Sequence, residues 1–276
     1  MIRPLFHSLA LVASCACPLL PGCTTAADAQ STPDAQTPLR IAAYNIKHGR
    51  GMDTEVDLER VADVLRQLDA DVITLQEVDD RTDRTGGVDQ VGVLAELLGY
   101  EGFHGPHRAY QRGFYGNAIL TRLPVREFRV HAIPPASGSA LSVTEVELEA
   151  GLSVVSVHLA GSEVERMAQA DSVTSWFADG SRPVVLSGDF NDRPDGPVLT
   201  RLRRDWHVLE KSGSPLTFPA DAPDREIDFM MFSPDTGLEV LEHRVVDEAA
   251  ASDHRPILAV LRRAPPRAFA ASARGR

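Results

Sequence analysis

RIAAYNIKHGRGMDTEVDLERVADVLRQLDADVITLQE, residues 40–77, decides the fold because its periodicity changes twice. Arg40 to Lys47 reads as a buried strand; Val56, Leu58, Val61, Val64, Leu65 and Leu68 recur at helical spacing; and Val72 to Leu75 is again a strand, running out at Glu77. The same layout returns downstream. Leu152 to His158 reads as a strand, Ser162 with Glu165 forms a capping box ahead of a helix carrying Val164, Met167, Val173 and Trp176, and Gly180 ends it. Pro183 to Leu186 is then a strand that leads into Ser187-Gly188-Asp189. Asn45 to Glu77 spans 32 positions and His158 to Asp189 spans 31, so each half delivers one polar tip from its first strand and one acid after its second. Ala118 to Leu120, Val125 to Val130 and Val143 to Leu148 alternate as sheet strands between the halves, and Phe229 to Phe232 and Ile257 to Leu261 add two more. Helices between strands in both halves predict two sheets packed face to face with helices outside.

The polar residues sit where those apolar runs end. Asn45, Glu77, His158, Asp189 with Asn191, Asp228, and Asp253 with His254 each follow a hydrophobic stretch. A buried strand tolerates such groups only where it leaves the core, so their repeated placement predicts one shared cleft. Hydrolysis of a phosphoester needs charge neutralisation on the phosphate oxygens, an activated water and a stabilised leaving oxygen. Glu77 and Asn45 offer hard oxygen donors suited to Mg²⁺ or Mn²⁺, which bind few protein ligands and keep several waters. Asp189 and Asn191 suit the activation and holding of a water, although Gly-Asp-Phe-Asn-Asp is equally good turn chemistry.

Seven segments in order, YNIKHG (44–49), LQEVD (75–79), YGNAILTRLP (115–124), SVHL (156–159), SGDFND (187–192), EIDFM (226–230) and SDHRP (252–256), resemble the endonuclease/exonuclease/phosphatase superfamily. That superfamily includes type I deoxyribonucleases, abasic-site endonucleases, neutral sphingomyelinases and inositol polyphosphate 5-phosphatases. The resemblance spans about Leu39 to Arg262 and implies a four-layer α/β sandwich, two packed mixed β-sheets flanked by helices. It implies the metal at Asn45 and Glu77, and His254 as donor to the scissile phosphate with Asp228 fixing its tautomer. It further implies Asp253 as a contact to metal or bound water, His158 on the leaving-group side, and Tyr115 and Asn117 on phosphate oxygens. Substrate choice is expected in loops. Gly102 to Gly113, bearing His104, His107, Arg108, Tyr110 and Arg112, is one expected rim, with Arg112 a phosphate contact; Asp80 to Asp89 is another.

Composition bounds the setting. With 43% hydrophobic and 24% charged residues, the chain of 276 can bury a substantial core, and sites spread from Asn45 to His254 favour one domain, 39–263. The net charge of −11 argues against broad nonspecific attraction to DNA or anionic lipid. Residues 1–22 read as an export signal, and Leu20-Pro21-Gly22-Cys23 resembles a bacterial lipobox, which implies lipidation of Cys23. Cys15, Cys17 and Cys23 are the three cysteines, so an internal disulfide or a cysteine-held zinc downstream is excluded. Residues 23–38 read as a flexible tether and 264–276 as a disordered tail. The expectation is an exported, lipid-anchored, Mg²⁺- or Mn²⁺-dependent phosphoesterase that uses direct attack of water. Its partners would be a phosphoester (a lipid head group, a small ester or DNA) and a membrane through the lipid, with no obligate protein partner. A surface endonuclease acting on external DNA is the alternative, and a noncatalytic binding lipoprotein the alternative of another class.

Overall fold

The computed structural model describes residues 37–133, 135, 140–234 and 236–263. The export signal, Cys23, nearly all of the tether and the tail lie outside these residues.

Each sequence half forms a parallel strand pair joined by a helix. In the first, β1 (Leu39–Asn45) runs through α1 (Leu58–Leu68) to β2 (Val72–Asp80), with Asn45 in register with Gln76. The helix starts two residues later than Val56, because the Asp57 side chain caps it by accepting from the Arg60 amide. In the second half, β7 (Ser153–His158) runs through α3 (Glu163–Trp176) to β8 (Val184–Asp189), with His158 in register with Asp189. Both hydrogen bonds of the expected Ser162–Glu165 capping box are present.

Among the described residues, six strands make up each sheet. One is ordered β11 (Leu238–Val245), β12 (Ile257–Arg263), β1, β2, β4 (Gly113–Thr121) and β3 (Glu101–Tyr110). The other is ordered β5 (Val125–Ile133), β6 (Leu141–Leu148), β7, β8, β10 (Asp228–Phe232) and β9 (His207–Val208). Alternation along the strands builds three apolar layers. Ile41 and Ala43 of β1 meet Val146, Val154, Val185 and Met230 between the sheets, whereas Ala42 and Tyr44 point outward into a cluster with Val61, Leu65 and Leu68 of α1 and Leu94 of α2 (Gln90–Leu98). On the far side, Val155, Leu186 and Phe229 pack under Val173 of α3 and Val198 of α4 (Pro197–Leu202). Helix, sheet, sheet and helix are the expected four layers.

Towards one end the inter-sheet layer turns polar. Thr74 and Ser187 hydroxyls meet at 2.8 Å, and the Gln76 amide donates to Ser156 Oγ at 3.0 Å. Beyond this layer lie the tips of β1, β2, β7 and β8.

Gly102 to Gly113, expected as a loop, is largely strand β3. As the last strand of its sheet it keeps one ladder face unpaired, so Pro106 is tolerated and its burial is too uneven to alternate cleanly. Strand β11, at the other edge, is mostly exposed and gives no period-two signal for the same reason. Among the described residues, no helix is long and apolar enough to cross a membrane.

Candidate active site

Strand register sets the centre of the site. Asp189, at the tip of β8, has His158 beside it on β7 and Asp228 on β10. Its carboxylate Oδ2 lies 3.7 Å from both His158 Nε2 and His254 Nε2 and accepts from Asn45 Nδ2 at 3.2 Å. Asn45 and Glu77 come from the opposite sheet, and the Asn45 amide also donates to Glu77 Oε1 at 3.2 Å. Ser252 Oγ donates to the Asn45 carbonyl at 2.7 Å, which ties the 252–254 segment to the end of β1.

The backbone is bent to achieve this. Glu77 sits at φ 58° inside a bulge between Leu75 and Val78, and Asn191 at φ 50°. Lys47 and His48 follow at φ 46° and 47°, two successive non-glycine residues in the left-handed region. Each such conformation costs on the order of 1 kcal/mol and persists where surrounding contacts over-determine it.

His254 is held on both sides. Its Nδ1 lies 3.0 and 3.2 Å from the two Asp228 oxygens, while Nε2 faces Asp189 and Asn45. Burial opposes the imidazolium, but the Asp228 and then the Asp189 carboxylates outweigh it and push its pKa up to about 10. The ring is therefore protonated near neutrality and presents Nε2–H to the cleft. Asp189 is pushed the opposite way from a surface carboxylate, upward, chiefly by burial. Asp189, Asp228 and His254 place ligand-type atoms within 4.8 Å of one another.

Asn191 Nδ2 donates to the Leu159 carbonyl at 2.8 Å, which fixes the amide and turns its remaining hydrogen toward His158 Nε2 at 3.2 Å and Asp189 Oδ2 at 3.4 Å. His158 Nδ1 is buried and has no hydrogen-bond partner among the described residues.

The carboxylates of Glu77 and Asp189, from different sheets, converge on the Asn45 amide nitrogen at 3.2 Å each, and carboxylate oxygens at such a junction are hard donors of the kind a divalent cation takes; the Asn45 Oδ1 accepts from the Lys47 amide at 3.1 Å and could join them through its second lone pair once the side chain turns. Asp253 Oδ2 accepts from Lys47 Nζ at 2.6 Å.

The expected phosphate-binding residues divide. Tyr115 is buried at the rim, its phenol pKa raised by burial and next by Glu77, and its ring meets His107 edge-on at 5.6 Å. Asn117 is fully buried, donating to the Ser156 carbonyl at 3.2 Å. Arg112 is exposed in the turn between β3 and β4 and pairs with Asp83. The guanidinium groups that flank Tyr115 belong to Arg84 and Arg108, at 5.5 and 5.0 Å from its ring centre, and Arg84 is anchored to buried Asp79 at 2.7 and 2.8 Å.

Three contributors were not assigned from sequence. Lys47 was hidden inside the YNIKHG segment, and Arg84 sat in the segment read only as a rim. The Lys211 side chain is fully buried, donating to Glu226 at 2.6 Å and to the Asp228 carbonyl at 2.8 Å. The signal for the lysines was compositional: they are the two lysines of the chain, and every other basic side chain is arginine or histidine.

Carboxylates, amides and imidazoles thus gather at the polar end of a two-sheet sandwich. The chain belongs to the Endonuclease/Exonuclease/phosphatase family, which residues 42–254 match, and members of that family are hydrolases acting on phosphoester bonds. It is 25% identical over 224 residues to YbhP of Escherichia coli strain K12, covering 70% of this chain and 84% of that one. The endonuclease/exonuclease/phosphatase of Bacteroides vulgatus has a structure similar at a TM-score of 0.67 and 20% identity, over 82% of this chain and 99% of that one. A mannosyl-6-phosphatase of Bacteroides thetaiotaomicron is similar at 0.61 and 17% identity, over 81% and 99%.

Proposed function

We propose that the chain is an exported, lipid-anchored, Mg²⁺-dependent phosphoesterase that cleaves a phosphodiester or phosphomonoester by direct attack of water. The observation that carries the catalytic part is the pairing at Asp189, a buried carboxylate of raised pKa facing an imidazolium at His254. An acid and a base poised within one buried cluster are what general acid–base chemistry requires.

In this reading Asp189 accepts a proton from the attacking water, which Asn191 holds through its fixed amide. The water oxygen bonds to phosphorus as the ester oxygen departs. His254 Nε2–H donates to a non-bridging phosphate oxygen as charge builds there, and Asp228 keeps the ring oriented. His158 supplies a hydrogen-bond donor on the leaving-group side. A divalent cation bound at Glu77 and Asn45 would supply Lewis-acid neutralisation of the phosphate. Export and lipidation rest on the N-terminal sequence alone, and they favour a lipid or extracytoplasmic phosphate ester.

The test is Mg²⁺-dependent turnover of plasmid DNA, bis-p-nitrophenyl phosphate, sphingomyelin, phosphoinositides and a sugar phosphate. Lipid or small-ester turnover with plasmid left intact supports this reading. Plasmid nicking lost in Glu77→Ala and His254→Ala makes the protein a nuclease. Binding without turnover, equal in wild type and His254→Ala, makes it a noncatalytic binding protein. For the anchor, palmitate labelling of the expressed full chain that survives Cys23→Ala would contradict lipidation at that residue.

A further inference from the structure

We infer that the Lys47 ammonium is a built-in cation at Asp253, so that the site takes a single divalent ion, at Glu77 and Asn45, and Asp253 is not a ligand to a second. Three observations converge on this. Lys47 Nζ lies 2.6 Å from Asp253 Oδ2, at the mouth of the same cleft, with the lysine side chain 34% and the aspartate side chain 21% exposed. The backbone is strained to put it there: Lys47 and His48 both adopt left-handed φ, and the turn is pinned by the Lys47 amide donating to Asn45 Oδ1 at 3.1 Å. The segment carrying Asp253 is tied to the same place by the Ser252 hydroxyl on the Asn45 carbonyl.

Side-chain chemistry fits the role. An ammonium is a compact, strongly hydrated point charge, closer to a small cation than the flat fork of a guanidinium. In a chain with 28 Lys and Arg residues, Lys47 is one of two lysines. A fixed positive charge on a carboxylate repels a divalent ion from it, while leaving Glu77, whose own amide neighbour is neutral, open to one. The cleft then meets an anionic substrate with two cations of different origin, one exchangeable and one covalently part of the chain.

The inference concerns the ions the site holds and is tested without substrate. Bound Mn²⁺ is counted by the loss of free-ion electron paramagnetic resonance signal for wild type, Glu77→Gln, Lys47→Met, and Lys47→Met combined with Asp253→Asn, with circular dichroism on each to show the fold intact. Wild type is expected to bind one ion and Glu77→Gln none. Lys47→Met is expected to bind a second, with affinity for it raised about tenfold or more by removal of the opposing charge. The added Asp253→Asn is expected to abolish that second ion. Two ions of similar affinity in wild type, or a single unchanged ion in folded Lys47→Met, would overturn the inference. No ion in wild type overturns it as well, and hydrolysis of bis-p-nitrophenyl phosphate by the same preparation shows whether the phosphoesterase reading falls with it.

Discussion

Replacing Asp228 with asparagine isolates what the buried carboxylate does for His254. The change is isosteric and keeps an oxygen for Nδ1, which lies 3.0 and 3.2 Å from the two Asp228 oxygens, but it removes the charge. Burial already opposes the imidazolium, and the Asp228 carboxylate is foremost among the groups that lift the ring to about 10. Without it burial opposes the charge against the remaining Asp189 carboxylate, and the ring falls back toward about 6.5. At pH 8 the protonated fraction then drops from nearly all to about 3%, a loss of about 30-fold from protonation alone. Looser orientation of the ring adds about 10- to 100-fold, the usual effect of losing an orienting carboxylate. The product, about 300- to 3000-fold in kcat/KM, corresponds to about 3 to 5 kcal/mol of barrier. The assay is Mg²⁺-supported hydrolysis of bis-p-nitrophenyl phosphate by wild type and Asp228→Asn from pH 5 to 10.5. Wild type should stay active until the alkaline limb near 10, whereas the variant should lose activity above about 6.5. An unchanged alkaline limb, or a loss under about threefold at pH 8, would mean that Asp228 does not set the His254 proton.

Other perturbations probe the scaffold around that pair. Lys211→Met leaves Glu226 without its partner and frees the Asp228 carbonyl, so stability should fall by about 3 kcal/mol in urea titration; a loss below about 1 kcal/mol would show the pair to be unimportant. At Gly188, φ is 141° and a Cβ would stand 2.1 Å from the Val157 carbonyl oxygen, so Gly188→Ala should cost about 2 to 4 kcal/mol and displace Asp189; a wild-type melting temperature would refute the strain. His243 is pushed down to about 3 by burial and then by Lys211, so the folded state binds fewer protons than the unfolded one below about 6.5. Stability should therefore fall as pH drops from about 6.5 toward 3, and His243→Asn should flatten that fall in thermal melts between pH 7 and 4.5. Parallel curves for the two proteins would rule out His243 as the source.

The parallel units were legible because their strands are buried on both faces and their helices amphipathic, so the change of period at residues 47–56 and again near 72 survives in the sequence. The two half-repeats then fixed which polar tips meet: Asn45, Glu77, His158 and Asp189 do converge, and Asp228 stands behind His254 as the resemblance implied. Edge strands β3 and β11 escaped, since neither alternates cleanly and β3 carries Pro106, whereas β5, also an edge, kept enough alternation to be read. Side-chain pairing was least legible. Arg112 lies in the basic stretch that resembled a phosphate grip, yet it pairs with Asp83, while Arg84, from a different segment, stands over Tyr115. Such partners are fixed by register between β2, β3 and β4, which periodicity does not encode.

Hydrolysis of bis-p-nitrophenyl phosphate by residues 39–276, with and without Mg²⁺, in wild type and His254→Ala tests the central claim most directly. The account predicts Mg²⁺-dependent release of nitrophenol by wild type, abolished by chelator and reduced about 10²- to 10⁴-fold in the variant. Release that is indifferent to chelator, or equal in both proteins, would contradict it.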